Sequence, residues 1–331
     1  MNKVVIGLII AVILFFGTVF YFGSKYQPAE EFTWGITFSQ THAQYLGYDW
    51  KTMYLDILND LKPKKIRLMA YWEVIESEHD KYDFAEVAEM LAEAEKRGVE
   101  VILVVGQKQP RWPECHHPAW YNQLSQEQKN DAQLNYVRNT VSYYKQFSAI
   151  KTWQLENEAL FGFGDECPVT DKDLITKELE LIRSIDDRPI LMTDSGELGR
   201  WIPTAKLGPD IFGTTMYRVV HNPTTGYFKY PLPPYFFHVK AGVLKTFTNV
   251  DKIIGVELQA EPWFNDDVHR TDLETQYALM NPKILKEYIA YAKAAGFSEN
   301  YLWGVEWWYW LAHQHGDWGM WQEAKNLLSS N

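Results

Sequence analysis

Short apolar runs along this chain alternate with stretches in which apolar residues recur every three or four positions. Residues 32–38 alternate and are rich in β-formers, which predicts a first strand. Residues 54–61 have helical spacing and stop before Pro63. Residues 66–70 predict a second strand with Arg67 near its centre. Residues 84–97 form an amphipathic pattern, with Val87, Met90, Leu91 and Ala94 on one face and Gly98 as the stop. Residues 99–105 are almost wholly apolar, as a parallel strand covered on both faces should be.

The alternation continues. A helix over 126–147 leads into a strand over 153–158, and a helix over 171–185, capped by Asp171, leads into a strand over 189–193. A short helix over 201–207 precedes a strand over 211–217. The proline-rich segment 218–234 predicts an irregular loop over the strand ends. A helix over 236–246, a strand over 252–257, a helix over 282–295 closed by Gly296, a strand over 301–307 and a helix over 321–328 complete the series. Eight strand–helix units predict a closed (β/α)8 TIM barrel. A doubly wound sheet would normally carry a glycine-rich phosphate turn after its first strand, and none is present.

Ahead of the barrel, residues 4–22 are apolar and uncharged, long enough to cross a bilayer as a helix. Phe20, Tyr21 and Phe22 crowd the place where a small-x-small cleavage site would lie, and no cysteine follows to accept a lipid. The reading is an uncleaved signal anchor over 1–23, a linker over 24–31 and one barrel domain over 32–331; a cleaved signal would instead give a secreted protein. Lys3 and Lys25 balance each other, so flanking charge says little about orientation.

Composition sharpens this in two places. Aromatic residues make up 15% of the 331-residue chain, with 14 Trp, 20 Tyr and 17 Phe. They suit either a large aromatic core or a groove of rings that stack on sugar faces. A net charge of −11 argues against nucleic acid as a partner, because phosphate binding needs clustered Lys and Arg.

The strand ends carry the candidate chemistry. Lys151-Thr152-Trp153-Gln154-Leu155 runs into Asn157-Glu158, and Lys252-Ile253-Ile254-Gly255-Val256 runs into Glu257. Two glutamates at the ends of two barrel strands are what glycoside hydrolysis needs: one to hold a proton, one to attack or stabilise. The motifs Ile66-Arg67-Leu68, Trp72-Glu73-Val74-Ile75-Glu76, Tyr82-Asp83-Phe84, Asn157-Glu158, Tyr217, Glu257 and Trp307 resemble the clan A glycoside hydrolases, the (β/α)8 retaining enzymes that include families 5, 39 and 42. The likeness runs from about residue 33 to the C-terminus and does not single out one family.

That resemblance implies a retaining hydrolase that cleaves a β-linked glycan by double displacement. Glu158 would be the general acid and base, and Glu257 the nucleophile, with carboxyls roughly 5–5.5 Å apart. Arg67 would favour the ionised form of Glu257, Tyr217 would steady it, and Asn157 would bind the sugar 2-hydroxyl. Trp307 would be the floor under the sugar, with Trp72 and Trp308 as further substrate-binding rings. Other readings stay open: Arg67 pairs with a core carboxylate such as Glu156, Tyr217 is plain packing, Trp307 is core with Trp308 as the stacking ring and Glu306 facing inward, and Glu261 is the nucleophile. Partners would be an oligo- or polysaccharide and the membrane, with the barrel on the extracytoplasmic side.

The rival class is a catalytically silent, carbohydrate-binding barrel, which would usually lose one glutamate. His116-His117 and His313, His315 with Asp317 have metal-ligand chemistry but read as solvated or sugar-contacting, so neither metal nor cofactor is expected. There is no phosphate-binding glycine loop and no Gly-x-Ser-x-Gly turn. Cys115 and Cys167 fall in the loops after the third and fourth strands, where a disulfide and two free thiols are both open.

Overall fold

The structure, a computed structural model, describes residues 3–330 except 166, 168, 251 and 265. Among the described residues there are ten strands: β1 (Thr33–Phe38), β2 (Lys65–Met69), β3 (Glu100–Val105), β4 (Ile150–Leu155), β5 (Ile190–Asp194), β6 (Ile211–Met216), β7 (Val219–Asn222), β8 (Gly226–Lys229), β9 (Lys252–Gln259) and β10 (Glu299–Trp303). Eight of them close into a parallel barrel in the order β1-β2-β3-β4-β5-β6-β9-β10, and β7 pairs with β8 as a separate antiparallel hairpin.

Local sequence sets the helices that cover this barrel. Ala85–Lys96 buries Val87, Met90, Leu91 and Ala94. Ser125 and Gln128 close a capping box at the start of Gln126–Tyr144, and Asp171 caps Lys172–Ile185. Asn281 caps Pro282–Ala295, which ends on Gly296 in the left-handed conformation. Within the barrel, Ile102, Leu191, Ile211, Ile254, Val256 and Tyr301 pack into one apolar plug. Outward-facing Phe38, Leu68, Trp153 and Leu155 join the larger core under the helices. Beneath the plug, Glu299 accepts from Lys252 at 2.9 Å and lies 3.6 Å from Lys65. Conserving the barrel shape is the ordinary work of that N-terminal end of the strands.

Two segments differ from the expectation. The strand predicted over 301–307 stops at Trp303, and Val305–His315 is a helix. Gly304 separates them at φ 127, a conformation that no side-chain-bearing residue holds cheaply, and its place beside Glu261 leaves no room for a Cβ. The run of β-forming aromatics there obscured the break. The second is 218–234, which contains the β7–β8 hairpin rather than being irregular throughout. Its prolines fall in the turn and after β8, so none interrupts the ladder.

The N-terminal helix, Lys3–Gly23, touches the barrel only near its end, where Phe22 lies 6.1 Å from Phe247. Its 5–23 stretch is apolar and long enough to span a bilayer. The segment expected as a linker is fastened down: Tyr26 Oη donates to the Gly296 carbonyl at 2.6 Å, and the Ala29 amide donates to the same oxygen at 2.8 Å.

Candidate active site

Arg67 is fully buried at the centre of the C-terminal end of the barrel. A buried guanidinium must find partners on all sides. Its Nε donates to Gln154 Oε1 at 2.8 Å, Nη1 to Glu257 Oε1 at 2.7 Å and Nη2 to Asn157 Oδ1 at 2.9 Å. One side chain on β2 therefore ties β4, the turn after β4 and β9 together. Tyr217 Oη donates to the other oxygen of Glu257 at 3.0 Å. Glu156, the alternative partner of Arg67, is engaged elsewhere, accepting from the Gln107 and Lys108 amides at 2.8 and 2.7 Å.

The backbone aims each glutamate. After Leu155 the chain bends through Glu156 at φ 58 and Glu158 at φ 47, both in the left-handed region. Non-glycine residues there cost on the order of 1–3 kcal/mol each and persist only where surroundings dictate them. Here the Asn157 amide donates to Lys108 O at 2.7 Å and the Glu158 amide to Thr193 Oγ1 at 2.9 Å. Glu257 is aimed by a bulge. Thr214 pairs with Gly255 but Thr215 with Glu257, and β10 shows a matching register shift. Ile254 and Val256 both face the interior plug, so strict alternation would turn Glu257 outward; the extra residue turns it in.

Burial pushes the Glu158 carboxyl well above its ordinary range, and the nearby carboxylates Glu257, Glu114 and Asp194 add to this against Lys108. Glu158 and Glu257 are 7% and 5% exposed, so both open only narrowly to solvent. An Arg-paired carboxylate and an acid that resists ionisation thus lie within electrostatic reach of each other at the ends of β4 and β9, the separation of roles that acid–nucleophile chemistry uses. Burial lowers the Lys108 ammonium, whose Nζ donates to the Phe161 carbonyl at 2.6 Å.

The three tryptophans expected to hold substrate are placed elsewhere. Trp72, Trp307 and Trp308 have no exposed surface. Their indole N–H groups donate to Glu76 Oε2, Gln276 Oε1 and the Ala260 carbonyl at 2.7, 2.8 and 2.7 Å. They are core residues, and the misplaced end of β10 explains the error for two of them. Trp303, at the true end of that strand, carries the Arg111 guanidinium 4.1 Å from its ring. Arg111 also bonds Glu261 and lies 2.6 Å from Glu306, which accounts for both of those acids. A separate row of rings, Trp112, Phe163, Trp263 and Tyr217, joins the loops after β3, β4, β6 and β9 at centroid spacings of 6.0, 5.8 and 5.3 Å.

Cys115 and Cys167 are joined in a disulfide, with Cα atoms 5.3 Å apart. His116 is held by Glu73 at 3.0 Å and by the Arg111 carbonyl at 2.9 Å. Sequence reasoning missed Glu114, Lys108 and Arg111. The only signal for them was their proximity to Cys115 on a loop already placed beside the site.

No protein-family model and no curated protein matches the sequence. Solved structures do. A psychrophilic glycoside hydrolase family 10 endo-β-1,4-xylanase is 14% identical with a TM-score of 0.53, over 83% of this chain and 86% of that one. Xylanase B from Clostridium stercorarium F9 is 16% identical with a TM-score of 0.55, over 84% and 89%. A GH5_18 protein from Bifidobacterium longum subsp. longum ATCC 55813, in complex with Manβ1-4GlcNAc, is 12% identical with a TM-score of 0.57, over 82% and 69%. Their shared feature with this chain is the closed eight-stranded parallel barrel, so the chain has the fold of these clan A glycoside hydrolases.

Proposed function

We propose that this protein is a retaining glycoside hydrolase acting on a β-linked glycan, with Glu158 as general acid and base and Glu257 as nucleophile. The observation that carries the reading is a proton-retaining Glu158 placed within electrostatic reach of an Arg67-bound, Tyr217-bound Glu257 at the C-terminal ends of the strands. Protonated Glu158 gives its proton to the leaving oxygen while Glu257 attacks the anomeric carbon. Departure of the leaving group then lets Glu158 take a proton from a water whose oxygen attacks the anomeric carbon, breaking the bond to Glu257 and releasing the sugar with both carboxyls restored. Asn157, oriented by Arg67, donates its carboxamide to the sugar 2-hydroxyl, a contact that strengthens as the oxocarbenium ion develops.

The row of rings from Trp112 to Tyr217 supplies apolar faces for further sugars. Manβ1-4GlcNAc bound to the GH5_18 protein makes β-linked disaccharides a first group to try. The N-terminal helix anchors the barrel in a membrane on its extracytoplasmic side; a mature chain starting near Ser24 in mass spectrometry would rule this out.

A panel of nitrophenyl glycosides and soluble polysaccharides tests the activity. Glu257→Ala should abolish hydrolysis and be partly rescued by azide. Glu158→Gln should fall by about a thousandfold on poor leaving groups and much less on activated ones. Full activity in either variant would refute the assignment.

A further inference from the structure

Glu114 joins Glu158 and Glu257 at the mouth of the barrel. We infer that Glu114 is a positioning residue of this site: it fixes the Asn157 carboxamide for the ligand and tunes the proton on Glu158, and the Cys115–Cys167 disulfide delivers it there. The inference rests on Glu158 and Glu257 being acid and nucleophile.

The loop that carries Glu114 is built for it. Glu114 sits at φ 77, with its amide donating to the Arg111 carbonyl and its carbonyl accepting from the Gln109 amide, each at 2.8 Å. Left-handed backbone at a glutamate is strain that a free surface acid would have no reason to carry. The next residue, Cys115, is bonded to Cys167 on the loop after β4. Between them lies Gly164 at φ 112, where an added Cβ would stand 2.8 Å from both the Glu114 and Cys167 Cβ atoms. The Asp165 amide donates to the Pro113 carbonyl at 3.1 Å and completes the seam. These two loops are fastened together beside the site, and Glu114 is turned inward with 7% exposure.

Its contact defines the role. Asn157 Oδ1 accepts from Arg67 at 2.9 Å and from Thr193 at 3.3 Å, while Asn157 Nδ2 donates to Glu114 Oε2 at 3.0 Å. Donors on one side and an acceptor on the other give the carboxamide a single orientation. One Nδ2 hydrogen goes to Glu114, and the second is the one a sugar hydroxyl takes.

The charges around Glu114 come from four elements: Glu257 on β9, Arg67 on β2, Glu158 after β4 and Lys108 on its own loop. Burial first and Glu257 second raise the Glu114 carboxyl to about 8, against Lys108 and Arg67. At neutral pH it is therefore uncharged and adds no second negative charge beside Glu257. Once ionised, it makes the loss of the Glu158 proton harder.

Two variants of the full-length chain in detergent, Glu114→Gln and Glu114→Ala, separate this from a packing role. Glutamine keeps an acceptor for Asn157 but never ionises. Near pH 6, Glu114→Ala should lose about tenfold or more in kcat/KM, and Glu114→Gln should recover most of that loss. The alkaline limb of kcat/KM should move to lower pH in Glu114→Gln, because Glu158 no longer faces a charged neighbour. In a carboxyl-labelled glutamate NMR titration, Glu114→Gln should remove a group titrating near 8 and lower the midpoint of Glu158. An unmoved alkaline limb and Glu158 midpoint, or glutamine as damaging as alanine, overturns the inference. If the wild type cleaves no glycoside, the catalytic reading fails, and the NMR titration still judges the coupling of Glu114 to Glu158.

Discussion

In the proposed mechanism, Arg67, Tyr217 and Glu158 divide the work of the site at the level of single atoms. Tyr217 gives one hydrogen bond to Glu257, and its ring stands edge-on to Trp263 at 5.3 Å. Tyr217→Phe keeps the ring and removes the donor, so kcat should fall by about 10–100-fold while the melting temperature changes little. Steady-state kinetics beside a thermal melt checks this, and an unchanged kcat would reduce Tyr217 to packing. Titration adds a second prediction. Glu158 must be protonated to act as an acid, and its folded-state carboxyl lies well above the ordinary range. The alkaline limb of kcat/KM, which reports loss of that proton, should therefore lie well above the ordinary carboxylate range, read from a pH profile. The same sign governs stability. Native Glu158 and Glu114 hold protons that the unfolded chain has released, so the contribution of Glu114 to folding declines as pH rises from the usual carboxylate range to about 8, and that of Glu158 declines in the same direction.

Among the elements, the ends of strands matter more than their middles. β4 is followed by two left-handed glutamates, β9 carries the bulge that re-aims Glu257, and β10 stops at Trp303, where Gly304 turns the chain into a helix. That helix presents Glu306 to Arg111, whose guanidinium lies across Trp303. Gly304 is the most exacting of these positions. At φ 127, with Glu261 Cβ only 2.6 Å from where a Cβ would sit, Gly304→Ala should cost about 2–4 kcal/mol. Urea denaturation gives the number, and a loss below about 0.5 kcal/mol would show that the turn adapts.

For the molecule as a whole, the barrel is closed by sheet hydrogen bonds and the disulfide acts on its rim. The bridge spans 52 residues and encloses β4. Loop-closure entropy alone gives such a crosslink about 4 kcal/mol, an upper figure because unfolded chains keep some structure. Reduction, or Cys115→Ser with Cys167→Ser, should lower the melting temperature by roughly 5–10 °C. If Glu114 is positioned by this bridge, kcat/KM should also fall in the reduced protein well below its melting point. A melt unmoved by reductant would mean that the loops are held by their backbone contacts alone.

Much of this was legible before any coordinates. The two hydrophobic periods fixed the barrel and all eight of its strands to within a few residues, because each parallel strand is buried on both faces and reads as an apolar run. Asn157, Glu158 and Glu257 stood out because polar residues at the ends of such runs have no packing reason to be there. Periodicity could not reveal a one-residue bulge, since a strand reads the same with or without it; only the pairing of β9 with β6 and β10 decides which way Glu257 faces. Nor could it show that Trp72, Trp307 and Trp308 are inside, because a ring for a sugar and a ring for a core have the same composition. The roles of Glu114 and Arg111 rest on contacts between loops 43 and 150 residues apart, respectively, and distances of that kind exist only once the cylinder has closed.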